Sequence, residues 1–436
     1  MTDVEQTPAH VGASTAADPR VVRRAEPRPP RGGRRRAKVR KRHTVAKVLL
    51  STLGVLAILS GLSVVYGYRH LNNNITQVDI EDQFTIKHPK HVVPPGPDGP
   101  LNILVMGYDG RDCKGCKIDG EGGAGGSDTT ILIHISGDRS RAYGVSIPRD
   151  SLVARPDCIN DEGETIRGSS LAMWNAAYSY GGAACTIAQF EENTDIPIDD
   201  FVVVNFASFK NMVDAIGGVE VCIPEDIDST EYGIYLKAGT RKIDGDEALA
   251  YVRVRHGVSD GSDTQRIKRQ QAFISAMINQ VMSASTLANP VKVWKFLNAA
   301  TKSLTTNEGF DADNMAGIAL QLKGIGLDNI QFFTIPSAGS TSQPGRVEWT
   351  SDAAVVWEKL LKDQPLSADL TKNAINVGNV PGVSSSPSAG ATGSGSATDT
   401  PSTSSPSTGA SEPTDSSSPG YSEEEKKALE YAGLCA

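Results

Sequence analysis

The sequence predicts an α/β fold with a mixed central β-sheet flanked by helices, preceded by one transmembrane helix. Three observations carry this. Short continuous apolar runs recur between residues 101 and 335, each stopped by Gly, Pro or Asp. Some are separated by tight turns, which require antiparallel pairing, and others by amphipathic helical stretches, which allow parallel pairing. Finally, Val48 to Tyr68 is predominantly apolar and uncharged, long enough to cross a bilayer at about 1.5 Å per residue.

The flanks of that span set its expected orientation. Arg34, Arg35, Arg36, Lys38, Arg40, Lys41, Arg42 and Lys47 precede it, and the positive-inside rule keeps them in the cytoplasm. A basic region this long argues against a cleaved signal peptide. Residues 1–44, rich in Pro, Gly, Ala and Arg, are predicted to be a disordered basic cytoplasmic segment. Everything after the span is then extracytoplasmic, where the six cysteines can form disulfides. Cys158 with Cys185 is the expected pair, and Cys113-x-x-Cys116 is expected to close locally. The formal net charge of −8, with the body beyond the span acidic on balance, argues against general nucleic-acid binding.

Along the chain, residues 69–100 read as a linker with a short helix from Arg69 to Ile80, followed by a proline-rich connection. The main domain is expected over 101–366. Leu101–Met106, Thr129–Ile135 and Ala142–Ile147 read as strands, the last two joined by the Ser136–Arg139 turn. Asn175–Thr194 has helical periodicity interrupted at Gly181-Gly182. A Phe201–Phe206 strand leads to a Phe209–Ile216 helix closed by Gly217-Gly218, and Val219–Ile223 resumes as a strand. Further helices are expected at Val291–Leu304, Asp313–Leu322 and Ser351–Leu361, with a strand at Ile330–Ile335. Residues 371–420 collapse to Ser, Thr, Pro, Gly and Ala, a flexible tail, and 421–436 is a short charged segment with one cysteine.

Two places concentrate charge. Glu247–Gln271 reads as an extended segment with Arg253 and Arg255 on one face, then a helix begun by Ser262 and Gln265 as a capping box. On that helix Asp263, Arg266, Arg269 and Gln270 share an arc. Arginines beside a helix N-terminus suit a polyanion such as a pyrophosphate. The second place follows from the hairpin: if strands two and three are antiparallel, Asp128 lies beside Arg149, and Asp109 joins them if strand one is also antiparallel. Carboxylates with an arginine between strand ends suit a divalent ion bridging to phosphate. Asp150 and Asp263 are candidate bases, unranked by the sequence, while His134 is expected to be a packed residue.

Several separated blocks, NILVMGYDGR, GGSDTTILIHIS, GVSIPRDSLV, NAAYSYGG, DAIGGVEV and GDEALAYVRVRH followed by DTQRIKRQQ, resemble the LytR-CpsA-Psr family from about Leu101 to Leu361. The serine-rich tail and the cysteines look like those of members from high-GC Gram-positive bacteria. The resemblance implies a membrane-anchored phosphotransferase that moves a glycopolymer from undecaprenyl pyrophosphate onto peptidoglycan. It implies Mg2+, with Mn2+ as an alternative, on Asp109 and Asp128. It also implies that Arg149, Arg253, Arg255, Arg266, Arg269 and Gln270 hold the pyrophosphate and its surroundings. Many members carry arginine where this chain has Gly126, and Arg111 is the candidate replacement. Two alternatives stay open: a membrane-bound transcriptional regulator, and a non-catalytic polyprenyl-phosphate-binding protein.

Overall fold

A computed structural model describes residues 44–93, 99–108, 126–160, 162–229, 233–255, 258, 262–383 and 423–435. Asp109, Arg111, Cys113, Cys116 and His256 lie outside the described residues. The chain divides into two units, Met1–Gly61 and Leu62–Ala436. Helix α1 (Thr44–Asn72) begins in the first and ends in the second. Its side chains from Val45 to Tyr66 are exposed, and among the described residues it is the helix long and apolar enough to cross a membrane. No separate Arg69–Ile80 helix forms: α1 runs on to Asn72, and Thr76–Val78 becomes strand β1. Backbone pairing with Leu304–Asn307 fixes that segment as extended.

In the second unit, β1 opens an eight-stranded sheet with β2 (Leu101–Tyr108), β3 (Ser127–Ile135) and β4 (Ala142–Ile147). The spatial order is β1, Leu304–Asn307, Asp200–Asn205, β2, β3, β4, Ile330–Thr334, Ile375–Asn376. β3 is antiparallel to both β2 and β4, while β2 with Asp200–Asn205 and β4 with Ile330–Thr334 are parallel. The sheet is therefore mixed. Its last strand lies beyond residue 366, so the folded body extends past the expected 101–366 span.

Alternation along the strands sorts the core. Leu104, Met106, Leu132 and Val145 face helix α2 (Ala176–Thr194) and the Ser351–Leu361 helix, packing with Trp174, Phe190 and Trp357. Val105, Ile131 and Ile133 face the other way, toward Ile274, Ile278, Ile318 and Leu322. Helix α2 breaks at Gly181 and Gly182 as the sequence suggests, and a Cβ on Gly181 would sit 2.7 Å from the Ile159 carbonyl oxygen. That close approach brings α2 to the Cys158 strand, where the Cys158–Cys185 disulfide forms.

Helix α3 (Phe206–Ala215) is capped by Asn205, which accepts from the Ser208 N–H, and ends before Gly217 and Gly218, at φ 80° and 88°. The segment expected to be extended from Glu247 is helix α4 (Gly245–Arg253). Asp244 caps it, Asp246 and Glu247 favour its first turn, and Ala248, Leu249, Ala250 and Tyr251 bury together. Alternating Val and Arg at 252–255 imitates a strand over too few residues to outweigh those helical signals. Helix α5 (Asp263–Met282) follows, N-capped by Ser262 but without a side-chain capping hydrogen bond. A second core joins α3, α4 and α5 to the Glu423–Tyr431 helix through Leu429, Ala432 and Leu434, and the Cys222–Cys435 disulfide closes this end.

Candidate active site

Because β3 and β4 are antiparallel, with Thr130 opposite Ile147, Asp128 at one strand's start meets Arg149 just past the other's end. Arg149 Nη1 donates to Asp128 Oδ1 at 2.7 Å. Its Nε lies 3.4 Å from Asp263 Oδ1 and 3.7 Å from Asp150 Oδ2. Arg266, one turn into α5, reaches the same group: Nη2 is 2.6 Å from Asp263 Oδ1 and donates to the Asp128 carbonyl at 3.2 Å. Two arginines thus meet three carboxylates, Asp128, Asp150 and Asp263, where the strand ends and the start of α5 converge.

Burial works to raise the Asp128 carboxyl pKa, but the Arg266, Arg149 and Arg253 charges outweigh it and hold the group below the usual aspartate range. Arg149 shifts upward because Asp128, Asp263 and Asp150 together overcome its burial. Burial dominates at Arg266, whose pKa falls despite Asp263. The cluster therefore holds fixed charges in a site partly withdrawn from water, where they act strongly on a phosphate.

Arg253 ends α4 with its guanidinium 4.4 Å from the centre of the Phe206 ring, a cation–π contact, and Arg255 follows two residues later. Gln270 ties the elements together, donating to the Val252 carbonyl at 3.0 Å and accepting from Thr129 Oγ1 at 3.3 Å. Asp128, Arg253, Arg255, Arg266 and Gln270 line the polar end of a cavity of about 230 Å3. Thr129 and Asn205 aside, its remaining walls are apolar, with Phe206, Phe209 and Met212 from α3 and Ile274 and Met277 from α5. A second cavity of about 290 Å3 lies along the same face of the sheet and shares Val105, Ile131 and Ile274 with the first.

Arg269 is not brought to this cavity. It is 1% exposed, and its guanidinium donates to the Ala432 carbonyl at 3.1 Å and to the Val254 carbonyl. Burial drops its pKa to about 10. On a helix, a residue three positions after Arg266 can share its arc yet turn toward a different neighbour, here the C-terminal segment. His134 is fully buried, paired with Asn102 at 2.8 Å and Asp363 at 3.3 Å, away from the arginines. At position 126 a Cβ would lie 3.3 Å from the Asn175 carbonyl oxygen, so an arginine there would need α2 to give by a few tenths of an ångström.

Sequence reasoning missed Arg346, whose Nη1 lies 2.6 Å from Asp150 Oδ1, because nothing marks a lone loop arginine. It also missed the apolar walls, whose i, i+3 spacing at Phe206, Phe209 and Met212 is the same as that of ordinary core. Asp150 is occupied by Arg346. Asp263 is likewise ion-paired, through Oδ1 to Arg266 and Arg149, although neither of its buried oxygens receives a hydrogen bond of good geometry from the described residues. Among the described residues no three His, Cys, Asp or Glu side chains gather as a metal centre. Asp128 and Asp263 nonetheless offer hard oxygen donors, the chemistry that a magnesium-type ion prefers.

Comparison with known proteins gives a consistent result. The family model described as the LytR_cpsA_psr family matches residues 65–361. The chain is 31% identical over 264 residues to the cell wall biosynthesis protein LcpA of Corynebacterium glutamicum, covering 55% of this chain and 50% of that protein. It is 31% identical over 262 residues to the polyisoprenyl-teichoic acid–peptidoglycan teichoic acid transferase TagT of Bacillus subtilis, covering 58% of this chain and 75% of that one. The LytR-Csp2A-Psr enzyme from Actinomyces oris shares the fold at a TM-score of 0.50, with 20% identity, over 66% of this chain and 95% of that one. The chain spans about half the length of the Corynebacterium relatives it matches.

Proposed function

The chain belongs to the LytR-CpsA-Psr family, and from that premise we propose that it transfers a glycopolymer from a polyprenyl-pyrophosphate carrier to a hydroxyl of peptidoglycan, forming a phosphodiester. One observation carries the proposal: a cavity with arginines at one end that shares wall residues Val105, Ile131 and Ile274 with a second, apolar cavity. A lipid pyrophosphate has that same division of chemistry. The names of the relatives, cell-wall biosynthesis for LcpA and teichoic acid transfer to peptidoglycan for TagT, support the same reading.

In this reading Arg149, Arg253, Arg255 and Arg266 bind the pyrophosphate oxygens, and the prenyl chain lies along Val105, Ile131 and Ile274. The acceptor hydroxyl attacks the phosphorus nearest the sugar. The new O–P bond forms as the bridging P–O bond to the lipid phosphate breaks, so polyprenyl monophosphate leaves and the acceptor proton must be taken up. Asp150 and Asp263 are the candidate bases; both are ion-paired, Asp150 with Arg346 and Asp263 with Arg266, so either must give up part of that pairing to take the proton. Positioning and charge neutralisation supply most of the catalysis. Magnesium or manganese on Asp128, completed by Asp109, would add positive charge at the phosphates when bound. The basic residues before α1 support an orientation with the N-terminus in the cytoplasm and the catalytic body outside it.

Ile274→Trp places a larger side chain where the two cavities meet, leaving the arginines untouched. By occluding the wall that the cavities share, it should lower affinity for polyprenyl phosphate roughly tenfold, about 1.4 kcal/mol of binding free energy. Fluorescence titration measures it, with a thermal melt as the folding control. Unchanged affinity in a folded variant would place the lipid elsewhere.

A further inference from the structure

We propose that the Pro290–Thr301 helix is a membrane-docking foot that lies in the headgroup layer beside the exit of α1. The proposal rests on the reading of α1 as a membrane span. Val291, Trp294 and Leu297 are 61%, 40% and 38% exposed, and their spacing of three puts these large apolar groups on one side of the helix. The opposite side is committed to the fold, since Phe296 packs against the second core. Lys295 and Lys302 are exposed beside the apolar stripe. Trp with flanking lysines around an apolar face is the composition of an interfacial helix.

The position of the helix identifies its partner. The Trp294 ring reaches Gly67, where a Cβ would be only 3.2 Å away, and stacks with His70 at 5.9 Å between centroids. Asn298 Oδ1 accepts from Asn74 Nδ2 at 3.2 Å and lies 2.9 Å from His70 Nε2. The helix is thus fastened to the last turns of α1, where a spanning helix leaves the hydrocarbon. Tyr66 and Tyr68 are exposed at the same level, as interfacial aromatics are. A surface continuous with the membrane anchor and apolar in its centre, with Lys295 and Lys302 at its edge and Asp311 hydrogen-bonded to Tyr68 on the α1 side, fits the headgroup layer of a bilayer, where the lysines meet anionic headgroups. The wall of the apolar cavity resumes directly after this helix with Leu304 and Phe310. Docking would therefore bring the cavity close to the lipid.

The test uses the full chain reconstituted in phosphatidylcholine–phosphatidylglycerol vesicles whose acyl chains are brominated. Trp174 and Trp357 are buried in the core on the α2 side of the sheet and Trp349 packs against it, so quenching by lipid should report on Trp294. Wild-type emission should be quenched, and Trp294→Phe should lose most of that quenching. A second variant, Val291→Glu with Leu297→Glu, keeps Trp294 and should show weaker quenching with red-shifted emission. Equal quenching in wild type and either variant would overturn the docking proposal, as would flotation with the vesicles and no quenching at all. Failure of the wild type to float would overturn the span reading itself.

Discussion

Arg149→Ala is expected to lower the transfer rate by about 100- to 1,000-fold, the scale seen when a charge-stabilising donor is removed from a reacting centre. Arg149 contacts three carboxylates of the cluster, Asp128, Asp150 and Asp263. Its loss would leave Asp128 and Asp263 sharing Arg266, and their mutual repulsion would disfavour a polyanionic substrate. Arg149→Lys keeps the charge without the planar fork and should recover only part of the rate. Steady-state kinetics with a fixed acceptor, alongside lipid-binding titration, would separate the two roles. A rate within threefold of wild type would remove Arg149 from the reacting centre.

The second large effect is on stability. Cys222→Ser, or Cys435→Ser, should cost about 2–5 kcal/mol. The bridge closes a loop with a sequence separation of 213 and pins the Glu423–Tyr431 helix, whose Leu429, Ala432 and Leu434 complete the second core. The consequence reaches the site. Arg269 spans the Ala432 and Val254 carbonyls, so releasing the C-terminal segment frees the backbone that carries Arg253 and Arg255. Thermal unfolding should therefore shift down, and activity should fall with it, in the Ser variants and in the reduced wild type. An unchanged midpoint would show that the C-terminal helix contributes no stability through its staple.

The central strands were legible because their signals are local: apolar runs ended by Gly-Tyr-Asp or Pro, and a tight turn that forces β3 and β4 to be antiparallel. That turn alone brought Asp128 to Arg149. Glu247–Arg253 was misjudged because four alternating residues mimic a strand, whereas the deciding signals, the Asp244 cap and the buried Ala-Leu-Ala-Tyr run, lie upstream. Arg269 could not be separated from Arg266 by spacing, since its direction depends on a C-terminal segment more than 160 positions away, as the Ala432 contact shows. The parallel neighbours of β2 and β4, the late Leu304–Asn307 strand and the cavity walls depend on long-range packing for which the sequence has no marker.

The most direct test of the proposed transfer is reconstitution of the full chain with a polyprenyl-pyrophosphate glycan, a peptidoglycan acceptor and magnesium, followed by mass spectrometry of the digested acceptor. The expected result is glycan joined to peptidoglycan through a single phosphate, with polyprenyl monophosphate released in equal amount, and with Arg149→Ala yielding almost none. Tight binding of the lipid with no joined product under these conditions would contradict transfer and leave a carrier-binding protein in its place.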